Sequence, residues 1–157
     1  MKIKLLCVGK NKRSFLFKSL ENYSKRINFY TSFGIEYVSE GKSGKKSIPD
    51  LIKKEEGKKL ILKIRKDDFV VLLDEEGKSL NSSAFAKTIK NYQNKGMQSL
   101  VFVIGGAYGF SDQIYAKFSN RMRLSDMTFS HQMIRLFFCE QLYRAYTIIN
   151  NHPYHNS

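Results

Sequence analysis

The chain has 157 residues, 42% of them apolar and 26% charged, a composition that excludes a disordered chain and predicts one globular domain over 1–157. Its 27 basic and 14 acidic side chains give a formal net charge of +13, which favours a polyanionic partner, although a lysine-rich solvated surface would give the same charge. No apolar run reaches the about 18 residues of a membrane span, and Cys7 and Cys139 lack metal-site spacing, so we expect a cytoplasmic protein without membrane or metal partners.

The apolar periodicities and turn signals predict a regular alternation of strands and helices. The first half of the chain is predicted to contain a strand over 2–9, a helix over 15–27, a strand over 34–38 and a helix from a cap at Ser47 to about Ile64. A strand over 69–73, a turn over 74–77, a helix from a cap at Ser82 or Ser83 to near Gly96 and a strand over 99–104 follow. The predicted C-terminal elements are a helix from Ser111 and Asp112, a short strand ahead of the loop 123–132, and a helix over 132–149. This βαβ pattern predicts an α/β fold, with a mostly parallel sheet covered by helices on both faces.

Two stretches follow predicted buried strands, where parallel sheets bind their ligands. Asp74 follows the third strand, and the segment 105–109, Gly-Gly-Ala-Tyr-Gly, follows the fourth. Taken alone, the glycines are explained better by a tight turn than by a ligand, because the GxGxxG spacing and its acidic partner are absent. The loop 123–132 is more informative, since its backbone groups, hydroxyls and apolar side chains can clasp an adenine ring. His131 in this loop is a capping or packing residue, or alternatively a catalytic one.

The last predicted helix is apolar on almost every side. Such a helix must be covered all round, and one small sheet covers one side, so we expect a second protomer to cover the other. Glu140 and Arg144 are four residues apart and can form an ion pair. Alternatively, Arg144 contacts a phosphate or base of a substrate.

Two further segments suit a nucleic acid. Residues 41–46 read Gly-Lys-Ser-Gly-Lys-Lys and begin a lysine-rich stretch, a flexible basic loop that can follow phosphates. In the tail, Tyr154 stands between His152 and Pro153 on one side and His155 on the other. These side chains can stack on a base and exchange protons.

Four C-terminal motifs in fixed order carry a resemblance to a known family. They are Val-Ile-Gly-Gly at 103–106, Met-Thr-Phe-x-His-Gln-Met-x-Arg at 127–135, Glu-Gln-Leu-Tyr-Arg-Ala at 140–145 and His-Pro-Tyr-His at 152–155, and the opening segment 2–10 fits as well. Together they resemble the ribosomal RNA large subunit methyltransferase H family, SPOUT-class enzymes that methylate N3 of a pseudouridine in large-subunit (23S) rRNA. The resemblance covers essentially the whole chain.

The resemblance implies an α/β knot, in which the C-terminal segment threads a loop, and a homodimer that acts on rRNA or the ribosome. It also implies that S-adenosylmethionine binds in the knot and that the tail of one protomer approaches the cofactor of the other. The implied cofactor-binding residues are Leu73, Gly105, Leu124, Ser125, Asp126, Met127, Thr128 and Phe129.

A methyl transfer to N3 requires that the imide N3–H lose its proton, so we expect a proton acceptor and a cation near the base. The candidate catalytic residues are His155 as acceptor with Glu140 second, Arg144 for stabilising the anion, and Tyr154 for stacking on the base. Water is an alternative acceptor. No metal is needed for this reaction, and the sequence contains no ligand cluster.

Two positions depart from the family pattern, and three rival functions stay open. Ser130 stands where the family usually has Pro, and we expect a slightly looser loop there. Asn156 stands where the family usually has Lys or Arg, and if that charge normally holds a phosphate, RNA affinity must depend on other cations. The rivals are a non-catalytic ribosome-associated RNA-binding protein, a nucleotide-dependent oxidoreductase, and a SPOUT enzyme acting on tRNA. The absence of a dinucleotide fingerprint argues against the oxidoreductase.

Overall fold

The computed structural model describes residues 1–10, 15–44 and 46–154, and in these ranges strands and helices alternate. In chain order they are β1 (Lys2–Val8), α1 (Phe15–Asn28), β2 (Ser32–Val38), α2 (Pro49–Lys63), β3 (Phe69–Ser79), α3 (Ser82–Asn94), β4 (Ser99–Ile104), α4 (Asp112–Lys117), β5 (Arg121–Arg123) and α5 (His131–Ile149). The order of element types confirms the α/β prediction.

The five strands form one sheet in the order β2-β1-β4-β3-β5, and each pair in it is parallel. β4 lies at the centre, where Phe102 is in register with Leu5 of β1 and Val71 of β3. All three side chains are almost fully buried, as expected for central strands that helices cover on both faces.

Helices pack on both faces of the sheet and form two apolar cores. On one face α1, α3 and α5 pack together, and Phe138 of α5 lies 4.6 Å, ring centre to ring centre, from Phe102 of β4. On the other face α2 and α4 contribute Leu60 and Ile114, which join Leu72 of β3 in the second core. The arrangement confirms the prediction of helices on both faces.

The predicted turn at 74–77 is wrong, because β3 continues through it to Ser79. The pairing of β3 with β5 shifts register between Leu73 and Lys78. Asp74 supports this bulge by accepting a hydrogen bond from the Glu76 backbone N–H (2.9 Å). Glycine is needed at position 77 because β3 and β5 approach each other closely there: a Cβ on Gly77 would lie 2.5 Å from the carbonyl carbon of Met122.

Two predicted helix caps are also wrong. Ile48, and not Ser47, is the residue before α2, with Pro49 in the first turn and no side-chain cap. Pro49 has no N–H, so one donor that would need a cap is absent. At α3 the cap is Asn81, one residue before the predicted serines, and its side chain accepts a hydrogen bond from Ala84 N (2.8 Å).

The helices of the described ranges include none that is long and apolar enough to cross a bilayer.

Candidate active site

A cleft of about 740 Å³ opens at the carboxyl ends of β3, β4 and β5. Three segments that are distant in sequence meet there: the bulge of β3, the loop after β4 and the loop after β5. The lining residues are Leu73, Asp74, Glu75, Glu76, Ile104, Gly105, Gly106, Ala107, Tyr108, Gly109, Phe110, Tyr115, Arg123, Leu124, Ser125, Met127, Thr128, Phe129, Ser130, His131 and Ile134. The cleft therefore lies where ligands bind in parallel α/β sheets.

The loop 105–109 after β4, called the glycine loop below, is a tight turn on the cleft wall. Gly109 N–H donates to the Gly106 carbonyl (3.1 Å), and Gly109 has a φ of 78° that favours glycine. Gly105 is buried, and a Cβ on it would lie 3.3 Å from the backbone of Gly109 and from the ring of Phe110. The missing side chain at Gly105 thus lets the glycine loop fold back closely against Gly109 and Phe110 at the wall of the cleft.

The loop between β5 and α5 forms the facing wall. Ser125 Oγ accepts a hydrogen bond from Met127 N (2.9 Å), and Thr128 Oγ1 donates to Glu75 Oε1 (3.0 Å). Met127 is 75% exposed, and Asp126 points its carboxylate to Arg123, at 2.9 Å. Met127 therefore offers an uncovered apolar surface, whereas Asp126 is not among the lining residues.

Phe129 closes the outer end of this wall. Its ring packs against Phe137 of α5, with ring centres 4.7 Å apart. Ser130 caps α5, since its Oγ accepts a hydrogen bond from Met133 N (3.3 Å). This capping bond is one that Pro, the residue expected at this position from the resemblance, cannot make with its side chain.

Tyr115 lines the cleft but was not among the residues predicted from the sequence. Tyr115 of α4 donates a hydrogen bond to Asp74 Oδ2 (2.6 Å), and the Arg121 guanidinium lies 4.2 Å from the centre of its ring. Burial and then the hydrogen bond to Asp74 raise the pKa of Tyr115, so its hydroxyl stays a donor at neutral pH. A tyrosine in a short helix gives no sequence signal for a partner so far away.

His131 begins α5 and lines the cleft. Burial, followed by the charge of Arg135, lowers the pKa of His131, so its ring is neutral at neutral pH. Arg135 is itself fully buried and donates to the Val8 carbonyl at the end of β1 (2.5 Å). This bond holds the start of α5 beside the carboxyl edge of the sheet, a role for Arg135 that no local sequence signal predicts.

The predicted catalytic side chains form a separate group on α5 and the tail. Arg144 Nε donates to Glu140 Oε1 (2.9 Å), which confirms the predicted ion pair. Tyr154 OH donates to the same oxygen (3.4 Å), and Gln141 Nε2 donates to Glu140 Oε2 (2.6 Å). The Arg144 guanidinium lies 4.8 Å from the centre of the Tyr154 ring. Three of the four predicted catalytic residues are thus in contact.

This group is distant from the cleft of its own chain. None of Glu140, Arg144 and Tyr154 lines the cleft, and Glu140 lies about 13 Å along the helix axis from His131. The fourth predicted residue, His155, lies outside the described residues, as does Asn156. Within one chain the predicted cofactor residues and the predicted catalytic residues therefore form two separate groups.

Two comparisons with known proteins identify the family. A family model described as "Predicted SPOUT methyltransferase" matches residues 1–155. The chain belongs to the SPOUT methyltransferase family. Proteins named "Ribosomal RNA large subunit methyltransferase H" are similar over 99% of this chain and 99% of their own lengths: one from Flavobacterium psychrophilum at 46% identity, one from Christiangramia forsetii at 45%, and one from Porphyromonas gingivalis at 43%.

The SPOUT family gives this chain the knotted α/β fold that the resemblance implied, and the protein is a methyltransferase. In this SPOUT chain the loop after β5 shares the cleft with the glycine loop, and Arg135 of the helix that follows, α5, contacts Val8 at the end of β1. Within the part of the chain that the structure describes, no group of three His, Cys, Asp or Glu side chains could hold a metal ion.

Proposed function

We propose that this chain transfers a methyl group from S-adenosylmethionine to N3 of a pseudouridine in large-subunit (23S) rRNA. The observation that carries the proposal is the cleft of a SPOUT methyltransferase in which Gly105 faces the loop 124–129. The rRNA substrate rests on the names of the similar proteins, and the pseudouridine on the C-terminal motifs described above.

The cleft fits S-adenosylmethionine by size and by chemistry. Its volume of about 740 Å³ is within the range of small-molecule sites. Leu73, Leu124 and Met127 supply apolar surface for an adenine ring, and Gly105 lines the cleft beside them. The remaining proposed cofactor residues are Ser125, Asp126, Thr128 and Phe129, of which Asp126 would act through its backbone or through Arg123.

Bound S-adenosylmethionine supplies an activated methyl group, which N3 takes up as the carbon–sulfur bond breaks. The task of the chain is to align N3, remove its proton and stabilise the resulting negative charge on the flanking carbonyl oxygens. Arg144 suits this last role, because a guanidinium is always charged in proteins and its hydrogen bond with Glu140 raises its pKa further. Tyr154 positions the base by stacking.

His155 is the proposed proton acceptor. Glu140, the second candidate, already accepts hydrogen bonds on both oxygens, from Arg144, Tyr154 and Gln141, so it is better suited to orienting Arg144. Tyr154 is unsuited as an acceptor, since burial and the bond with Tyr23 raise its pKa to about 12. Glu140 is then a positioning residue in this proposal.

A homodimer brings the two groups of residues together. The distance between the cleft and Arg144 within one chain is explained if the tail of one protomer completes the cleft of its partner. A recess of about 370 Å³ beside the cleft, lined in part by Phe85, Phe129 and Phe137, supports this proposal, because it leaves apolar surface for a second copy to cover.

The rRNA partner is supported by charge. The net charge of +13 favours contact with phosphates, and the loop 41–46, which precedes α2, is the proposed basic loop for this contact. Since ribosomes and their RNA are in the cytoplasm, we propose a cytoplasmic protein that works as a single domain over 1–157.

The experiment that tests the function combines cofactor titration with methyl transfer. Calorimetry with S-adenosylmethionine is expected to give saturable binding to the wild type and none to Gly105→Trp, whose side chain has no room beside Gly109 and Phe110 and therefore displaces the glycine loop at the cleft wall. Ser119→Trp is the matched control, because Ser119 is exposed at the opposite end of the sheet. Tritium from the labelled methyl group should then appear in 23S rRNA of bacterial ribosomes with the wild type and with Ser119→Trp.

Each outcome decides between the proposed function and a rival. A folded wild type that binds no cofactor at millimolar concentration, with ribosomes present, contradicts the proposal and favours a plain RNA-binding protein. Tritium in tRNA, and none in 23S rRNA, supports the rival SPOUT enzyme.

A further inference from the structure

Glu56 of α2 is a buried carboxyl that the proposed chemistry does not use. Only 4% of its surface is exposed, and burial raises its pKa. Its Oε1 accepts a hydrogen bond from Gly41 N (3.0 Å), at the start of the basic loop. Glu56 therefore contacts one segment proposed to bind RNA.

The same carboxyl also contacts the glycine loop. A Cβ on Gly106 would lie 2.6 Å from Glu56 Oε2 and 2.9 Å from Oε1, so the carboxyl packs directly on the Gly106 backbone. Gly106 lines the cleft, whereas no residue of 39–44 does. Glu56 thus joins a segment of the cleft to a segment outside it.

Folding stability alone is a poor explanation for this carboxyl. Its Oε2 is buried and has no hydrogen-bond partner among the described residues, and the same holds for Ser111 Oγ, just after the glycine loop. An unsatisfied buried oxygen costs free energy and calls for an explanation other than stability. The neighbouring Glu55 shows the contrast: it bonds to Lys42 N (2.7 Å) and Lys59 (2.7 Å) and is not buried.

We propose that Glu56 is a positioning residue that couples the basic loop to the glycine loop, so that RNA phosphates held by the basic loop strengthen cofactor binding in the cleft. The proposal rests on the proposed function, because it takes S-adenosylmethionine as the ligand of the cleft. Coupling between two sites is reciprocal. Cofactor bound in the cleft must therefore also slow amide hydrogen exchange in the basic loop, and this effect can be measured without RNA.

The test is hydrogen–deuterium exchange of the full chain, with and without saturating S-adenosylmethionine. In the wild type we expect the cofactor to slow exchange at 105–109 and, on the order of fivefold or more, at Gly41 and Lys42. Glu56→Ala should keep the first effect and lose the second. Glu55→Ala is the matched control, since it removes the acceptor of Lys42 N but leaves the contacts of Glu56 with Gly41 and Gly106, and it should keep the cofactor effect at 105–109 and at Gly41.

Glu56→Gln provides a rescue, because glutamine keeps the size of the side chain and the acceptor for Gly41 N. We expect this variant to restore protection at Gly41 and Lys42. The coupling is overturned if the cofactor protects 105–109 of the wild type but not the basic loop. It is also overturned if Glu56→Ala shows the wild-type pattern, or if a folded Glu56→Gln loses the protection of Gly41 and Lys42. Absent protection at 105–109 in the wild type instead contradicts the proposed cofactor site.

Discussion

Gly77 is a residue at which side-chain size affects the path of β3 beside the cleft. It lies in the bulge of β3, and a Cβ there would be 2.5 to 2.7 Å from three backbone atoms of Met122. A backbone cannot move aside as the end of a flexible side chain can. The bulge that carries Asp74 into the cleft therefore depends on glycine.

Gly77→Ala is expected to lower the free energy of unfolding by about 2 kcal/mol or more, the cost of overpacking a close contact. Gly34→Ala is the matched control, since Gly34 also lies in a strand and a Cβ on it meets nothing within 4 Å. Its effect should stay within about 0.5 kcal/mol. Urea unfolding measures both, and equal stabilities of the two variants would contradict the close approach.

Among elements, α4 is attached to the bulge of β3 through Tyr115 and Asp74. Their hydrogen bond, at 2.6 Å, joins a six-residue helix to the strand bulge. Because so short a helix has little stability of its own, this bond and the buried Ile114 keep it in place.

Tyr115→Phe should lower the free energy of unfolding by about 1 kcal/mol at pH 8, the value of one net hydrogen bond. Folding raises the pKa of Tyr115. The stabilisation of the folded state by this hydroxyl is therefore fully present below the pKa of an unfolded tyrosine, about 10, and is lost as the pH rises above that value. The difference between wild type and variant should therefore shrink at pH 11. Tyr108→Phe, an exposed residue of the glycine loop, is the control, and a constant difference at both pH values would contradict the assignment.

At the scale of the whole molecule, a dimer can join the cofactor residues of the cleft and the catalytic residues of α5 and the tail into one site, if each protomer contributes one group. Gly105→Trp removes the cofactor position and Arg144→Ala removes the proposed anion stabiliser, so each variant alone should be inactive. In an equal mixture, half of the dimers are mixed, and each mixed dimer has one intact site if the site is shared. Refolding the two variants together should restore about a quarter of the wild-type methyl transfer.

A site within one chain gives no recovery in this mixture, because every chain then carries one defect. The control is each variant refolded with itself, and the readout is tritium transferred to 23S rRNA. Full activity of Arg144→Ala alone would contradict the role of Arg144.

Much of the fold and part of the site were predictable from local sequence. The strand over 99–104 agrees with β4, since a continuous apolar run is a local signal of a strand buried on both faces. The Glu140–Arg144 pair was predictable because four-residue spacing on a helix brings two side chains together. The turn at 74–77 was not, because Asp-Glu-Glu-Gly has turn composition and only the approach of Met122 makes it a strand.

The sequence by itself determined the alternation of elements, the sheet that they form and the family, because periodicity and ordered motifs are carried by residues close together in the chain. Only the tertiary structure decided that Arg135 contacts Val8, that Glu56 packs on Gly106, and that Arg144 lies apart from Gly105. These contacts join residues far apart in sequence, and their partners are selected by the path of the chain through the fold. A side chain's type limits what it can bond to, but the packing of the whole chain decides which partner it reaches.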